Sequence, residues 1–172
     1  TLNEDPGERL WVFEPEEFRA VPGAFGALAR LTSAGWPMAV ITNQSCVGRG
    51  KATREQVDRV NAHCVGLAEA AGARIDGVYV CPHAPDAGCE CRKPLPGMLL
   101  EAAAAHDYDL FRSYVIGDSH RDLLAGRAAG ATALLVLTGK GAAAQDRHPP
   151  HLTFPSVAEA VNWILSRARN PE

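Results

Sequence analysis

Residues 113–137 read SYVIGDSHRDLLAGRAAGATALLVL. A short apolar run ends in Gly-Asp, a helical stretch spans 120–129, and a second apolar run, ATALLVL, follows Gly130. Strand, helix, strand in so few residues is the repeat from which parallel sheets are built.

The same alternation extends outward on both sides. Residues 22–34 carry apolar residues at helical spacing, with Pro22 near the start and Gly35 just past the end. PMAVITN, 37–43, reads as a buried strand. Thr53 and Gln56 form a capping-box signature for a helix running to about Ala71, and IDGVYVC, 75–81, is the next strand. A helix is predicted over 97–106, and Ser156 with Glu159 caps a last helix ending near Ala168. Residues 139–151 read as a mobile loop. The expectation is a single α/β domain over 1–172, a doubly wound parallel sheet with helices on both faces. Ligands of such sheets lie at the carboxyl ends of the strands, here Thr42-Asn43, Cys81 and Asp118.

Composition removes several function classes. With 172 residues and 47% apolar content the chain has enough core for one domain. A net charge of −3 gives no general drive toward nucleic acid or an anionic membrane. No apolar run approaches the ~20 residues of a membrane span. The N-terminal TLNEDPGERLW has neither the basic nor the apolar region of a signal peptide. Five cysteines, an odd number, fit reduced thiols in a cytoplasmic protein better than a disulfide framework.

Four stretches carry chemistry. In CPHAPDAGCECRKPLPGM, 81–98, the side chains of Cys81, His83, Cys89 and Cys91 are four N/S ligands, the set that fills a structural zinc site. The alternative is a redox pair, Cys89 and Cys91, beside an incidental histidine. Arg92 and Lys93 follow at once, so a pinned loop would present two fixed positive charges; a solvated basic pair is the plainer alternative. In ITNQSCVGRG, 41–50, the Thr42 hydroxyl and Asn43 end a strand, and Gly48 and Gly50 flank Arg49. Such a turn suits a phosphate, with Gln44, Ser45, Arg49 and Arg92 as candidate substrate contacts. In VIGDSHRDL, 115–123, Asp118 and Asp122 are one helical turn apart and offer the hard oxygens that Mg²⁺ takes. Asp122 is equally readable as an acid at a helix N-terminus.

Together these stretches resemble the haloacid dehalogenase superfamily of phosphotransferases, over about residues 1–165. ITNQ is similar to its second motif, the Lys93 segment to its third, and Gly117-Asp118 with Asp122 to its fourth. The cysteine loop resembles that of the heptose 1,7-bisphosphate and histidinol-phosphate phosphatases within it, and SCVGRG and RKPLPGM lean toward the former. The resemblance implies a Rossmann-like fold with no large cap domain. It implies a monomeric, Mg²⁺-dependent phosphomonoesterase that works on a small sugar phosphate through an aspartyl-phosphate. Thr42, Asn43 and Lys93 would hold the transferring group, Asp118 and Asp122 the Mg²⁺, and the cysteine loop a Zn²⁺. The family's first motif, Asp-x-Asp-Gly at the end of a first strand, has no counterpart in 1–172. Two expectations follow: a first strand and motif that precede Thr1, or a zinc-stabilised binding domain without activity. Cys46 stands where relatives usually carry glycine.

Overall fold

In a computed structural model, the residues described are 1–7, 11–145 and 152–169. The strands are β1 (Ala39–Asn43), β2 (Gly77–Cys81), β3 (Tyr114–Gly117), β4 (Thr132–Val136) and β5 (Leu152–Phe154). Between them run α1 (Ala24–Ser33), α2 (Arg54–Ala70), α3 (Gly97–His106), α4 (His120–Ala128), α5 (Gly141–Gln145) and α6 (Val157–Arg169). Every strand pairing is parallel, as the alternation predicts.

The helix boundaries follow local chemistry. Thr53 accepts from the Gln56 N–H while Gln56 returns a bond to the Thr53 backbone, so α2 starts where the capping box predicts. Ser156 accepts from the Ala158 N–H and pairs with Glu159 at the head of α6. In α1, Ala24, Ala27, Leu28 and Leu31 form one buried stripe and pack into a core with Leu134 and Val136 of β4 and Val157, Val161 and Ile164 of α6.

Three features depart from the sequence reading. Residues 139–151 are not one loose loop: Lys140 is bonded to Asp118, Gly141–Gln145 is helical, and 146–151 lie outside the described residues. The three-residue β5 was missed because its alternation is too short to register between Pro150 and Pro155.

The strands also form two sheets, β1–β2 and β3–β4–β5, rather than one. Between β1 and β3 lies a cavity of about 470 Å³, lined by Leu31, Met38, Ile41, Leu99, Val115 and Ile116 among others. All five residues of β1 are only half-buried, whereas Leu134, Leu135 and Val136 of β4 are fully buried. Trp36 and Trp163, far apart in sequence, both pack on Tyr114, with ring centroids 5.6 and 5.9 Å away, at the foot of this groove.

Candidate phosphate and metal site

The carboxyl ends of β1 and β3 converge on Lys93. Its Nζ donates to the Ile41 carbonyl at 2.8 Å and pairs with Asp122 Oδ1 at 2.5 Å, with both side chains largely buried. The Asn43 amide fixes the lysine backbone, donating to Lys93 O at 3.0 Å and accepting from Lys93 N at 3.1 Å. Asn43 is therefore a brace through its side chain and has only its backbone N–H for a ligand. The Thr42 hydroxyl accepts from Gln44 Nε2 at 3.3 Å and keeps its own proton to donate.

Asp118 and Asp122 have different partners. Asp118 Oδ1 accepts from the Thr1 α-ammonium at 2.8 Å and from the Thr1 hydroxyl, and Oδ2 accepts from Lys140 N at 3.1 Å. Burial raises its pKa, and the hydrogen bonds from the Thr1 hydroxyl and the Lys140 N–H lower it. Asp118 offers carboxylate oxygens at the end of β3, the donor chemistry that suits Mg²⁺. Asp122 caps α4: its Oδ2 accepts from Ser119 Oγ at 2.6 Å and from Ser119 N at 3.1 Å. Both oxygens of Asp122 have partners, Oδ1 in Lys93 and Oδ2 in Ser119, as an acid at a helix N-terminus would. Gly117 makes this approach possible, because a Cβ there would lie 2.2 Å from Asp122 Cβ.

Sequence reasoning missed Ser119, Lys140 N and Thr1 as partners. The Ser119-x-x-Asp122 spacing was a readable capping signal; the other two contacts come from residues distant in sequence.

The cysteine loop fits zinc by geometry. The ligand atoms of Cys81, His83, Cys89 and Cys91 all lie within 4.8 Å of one another. Cys81 Sγ is 3.7 Å from Cys89 Sγ and 3.7 Å from His83 Nδ1, and His83 Nδ1 is 3.2 Å from Cys91 Sγ. Ligands about 2.3 Å from a tetrahedral centre would be about 3.7 Å apart. This loop also supports the phosphate loop. Gln44 N donates to Cys81 O and Gly48 N to Pro82 O, each at 2.8 Å. Gly48 permits the contact, since a Cβ there would lie 2.5 Å from the Ala84 nitrogen. Arg92 donates to the His83 carbonyl at 3.2 Å, so it braces the loop. Ser45 is buried. Arg49 is exposed and makes no ion pair among the described residues.

The other titratable groups have structural explanations. Cys46 is not at positive φ, and burial pushes its thiol pKa up. Burial likewise raises the Cys64 thiol, to about 11. His63 packs edge-on against Phe18, and His106 stacks on Tyr108. The sequence does contain one Asp-x-Asp, Asp107-Tyr108-Asp109, without the following glycine. Asp107 is the αL cap of α3, and Asp109 caps the turn Leu110–Arg112. Both line the groove with the residues that lead into β1 and β3, at the end away from Lys93.

Comparison with known proteins agrees with this arrangement. A family model described as HAD-hydrolase-like matches residues 90–160. A D-glycero-beta-D-manno-heptose-1,7-bisphosphate 7-phosphatase of Bordetella bronchiseptica is 41% identical over 131 residues, 76% of this chain and 73% of the relative. The Pseudomonas putida enzyme of the same name is 40% identical over 81% of this chain and 79% of its own. A crystal structure of D,D-heptose 1,7-bisphosphate phosphatase from B. bronchiseptica, complexed with magnesium and phosphate, superposes with a TM-score of 0.90 at 35% identity. It covers 97% of this chain and 94% of that one.

Proposed function

Because the chain belongs to the heptose 1,7-bisphosphate 7-phosphatase family of HAD-like hydrolases, we propose that its site hydrolyses the 7-phosphate of a heptose 1,7-bisphosphate in the cytoplasm. The observation that carries this is Lys93. Its largely buried side chain joins Ile41, the residue before Thr42 in β1, to Asp122 at the head of α4.

The Thr42 hydroxyl and the Asn43 N–H would donate to the transferring phosphoryl group, and Lys93 would offset its charge. Such fixed donors, aimed where charge develops, supply most of the rate in phosphoryl transfer. Asp118 would hold Mg²⁺, which would neutralise phosphate oxygens when bound. Asp122 would hold Lys93 in place through their contact, so it is a positioning residue. Cys81, His83, Cys89 and Cys91 would hold Zn²⁺ and fix the loop that carries Arg92 and Lys93. Arg49, exposed and without an ion pair among the described residues, would be available to the second phosphate of a bisphosphate.

Asp118 is assigned to the Mg²⁺ and Asp122 to Lys93 and Ser119, so neither serves as the nucleophile. In this reading the attacking carboxylate lies on a strand that precedes Thr1. The test is phosphate release with Mg²⁺ by a chain extended ahead of Thr1 with an apolar segment ending in Asp-x-Asp-Gly. A preference of tenfold or more for the heptose bisphosphate over histidinol phosphate supports the assignment. The reverse preference would replace the substrate, and no release on either would remove the phosphatase reading.

A further inference from the structure

The chemistry of Thr42 depends on where a single proton points. A hydroxyl has one hydrogen and two acceptor positions, so it can donate into the site or turn and donate to a neighbour. Two residues of the turn after β1 bear on that choice. Gln44 Nε2 donates to Thr42 Oγ1 at 3.3 Å. The other end of the same amide, Oε1, accepts from the Cys46 thiol at 3.7 Å. The three side chains thus form a directed relay, thiol to amide to hydroxyl, and its free end is the Thr42 proton.

The turn that carries the relay is held by its backbone. Gln44 N donates to Cys81 O at 2.8 Å, and Cys46 O accepts from Lys51 N at 2.8 Å and from Ala52 N at 3.3 Å. Cys46 is fully buried, so its thiol has no water to donate to. Burial also raises its pKa, and the backbone N–H groups of Val47 and Cys46 are directed at the sulfur, so the sulfur keeps a proton and has Gln44 to give it to.

An amide beside a hydroxyl can bind it in either orientation, because one end donates and the other accepts. With Oε1 toward Thr42, the hydroxyl would donate to Gln44 and withhold its proton from the site. The thiol decides between the two orientations. It donates but accepts only weakly, so it draws Oε1 to itself and leaves Nε2 facing Thr42. The Thr42 oxygen then accepts from within the turn, and its hydrogen is left for a ligand. A donor aimed in advance costs no reorganisation when charge develops on the phosphoryl group.

We propose that Gln44 and Cys46 are positioning residues: the Cys46 thiol fixes the Gln44 amide, and the amide aims the Thr42 proton at the phosphoryl group. Gln44 then acts on the substrate through Thr42 rather than by touching it. This rests on the phosphatase reading for what the proton meets; the relay itself rests on the geometry of the turn.

The relay is tested without substrate. In the zinc-loaded protein Cys81, Cys89 and Cys91 are thiolates, so S–H stretching absorption comes from Cys46 and Cys64, and Cys64→Ala assigns the two bands. A thiol that donates absorbs at lower frequency than a free one. Gln44→Leu, which removes the acceptor, should move the Cys46 band to higher frequency, and Gln44→Glu, a stronger acceptor, should move it lower. A Cys46 band that stays in place in both variants would overturn the proposal. The consequence is tested in the enzyme extended ahead of Thr1. A Thr42 hydroxyl released from the relay samples three staggered positions, so Gln44→Leu should lower kcat/KM about threefold or more and Cys46→Ala about twofold. Neither change should cost anything further in the Thr42→Val background, where there is no proton to aim. Equal losses in both backgrounds would mean that the substitutions only loosen the turn, and would overturn the proposal. Shifted bands together with no phosphate release by the parent would remove the phosphatase reading and leave the relay standing.

Discussion

Replacing Lys93 by methionine tests the central contact of the site. The Nζ–Oδ1 separation of 2.5 Å, between side chains only 13% and 11% exposed, corresponds to about 7 kcal/mol of attraction at an effective dielectric of 20. Desolvation of both ions cancels most of that. The single change nevertheless leaves the Asp122 carboxylate buried with Ser119 as its remaining partner, and removes the bond to the Ile41 carbonyl. The expected loss is about 3 kcal/mol, the usual cost of stranding one member of a buried pair. Asp122→Asn keeps an oxygen for Ser119 and should cost about 1–2 kcal/mol. The double variant should then be less destabilised than the sum, with a coupling of about 1.5–3 kcal/mol. Urea denaturation of the zinc-loaded protein at pH 7, with constant m-values, measures all four corners of the cycle. Additivity within about 0.5 kcal/mol would show that the two side chains do not act as a pair, and the argument for a lysine held by Asp122 would fail.

Three further outcomes are expected. Protein purified without chelator should contain about one zinc per chain, and Cys89→Ser should lower the thermal midpoint more than it lowers turnover per folded molecule, because structural metal binding contributes to folding; elemental analysis near zero would refute the site. In the active extended enzyme, Arg49→Ala should lower kcat/KM on the bisphosphate by about ten- to a hundredfold, the worth of a charge-assisted hydrogen bond, and leave a simple monophosphate nearly unchanged; equal losses would mean that Arg49 does not read the second phosphate. Burial, and then the Asp76 carboxylate that accepts from its hydroxyl at 2.9 Å, raises the Tyr108 pKa. The folded state therefore favours the neutral phenol, and its contribution is complete below the unfolded pKa of ~10 and declines as pH rises beyond it. Chemical denaturation from pH 8 to 11 should show a shallower alkaline decline in Tyr108→Phe than in the parent, and parallel curves would exclude the linkage.

Signals that act within a few residues were legible in the sequence. Capping boxes, apolar runs and the Cys81–Cys91 ligand spacing gave α2, the first four strands and the metal cluster with small boundary errors. Asp122 was readable two ways, and its contact with Lys93 was not legible, because the two are close only once β1 and α4 are packed. The contacts of Asp118 with Thr1 and Lys140 were invisible for the same reason. The division into two sheets was legible only through the family resemblance, which expects a further strand ahead of Thr1: an apolar run specifies a strand but does not say whether both of its edges find a partner.

The hydrogen bonds from Gln44 and Gly48 to the backbone of Cys81 and Pro82 make the phosphate loop dependent on thiol chemistry far milder than unfolding. An oxidant that converts Cys89 and Cys91 to a disulfide would expel the metal, free the Arg92–Lys93 segment and loosen the turn that presents Thr42. Substrate affinity would then report the thiol redox balance of the compartment, and a reductant with fresh zinc would restore it. In protein treated with substoichiometric peroxide, zinc release and loss of inorganic phosphate binding should rise together and reverse together. Phosphate binding that survives complete loss of zinc would show the two loops to be independent.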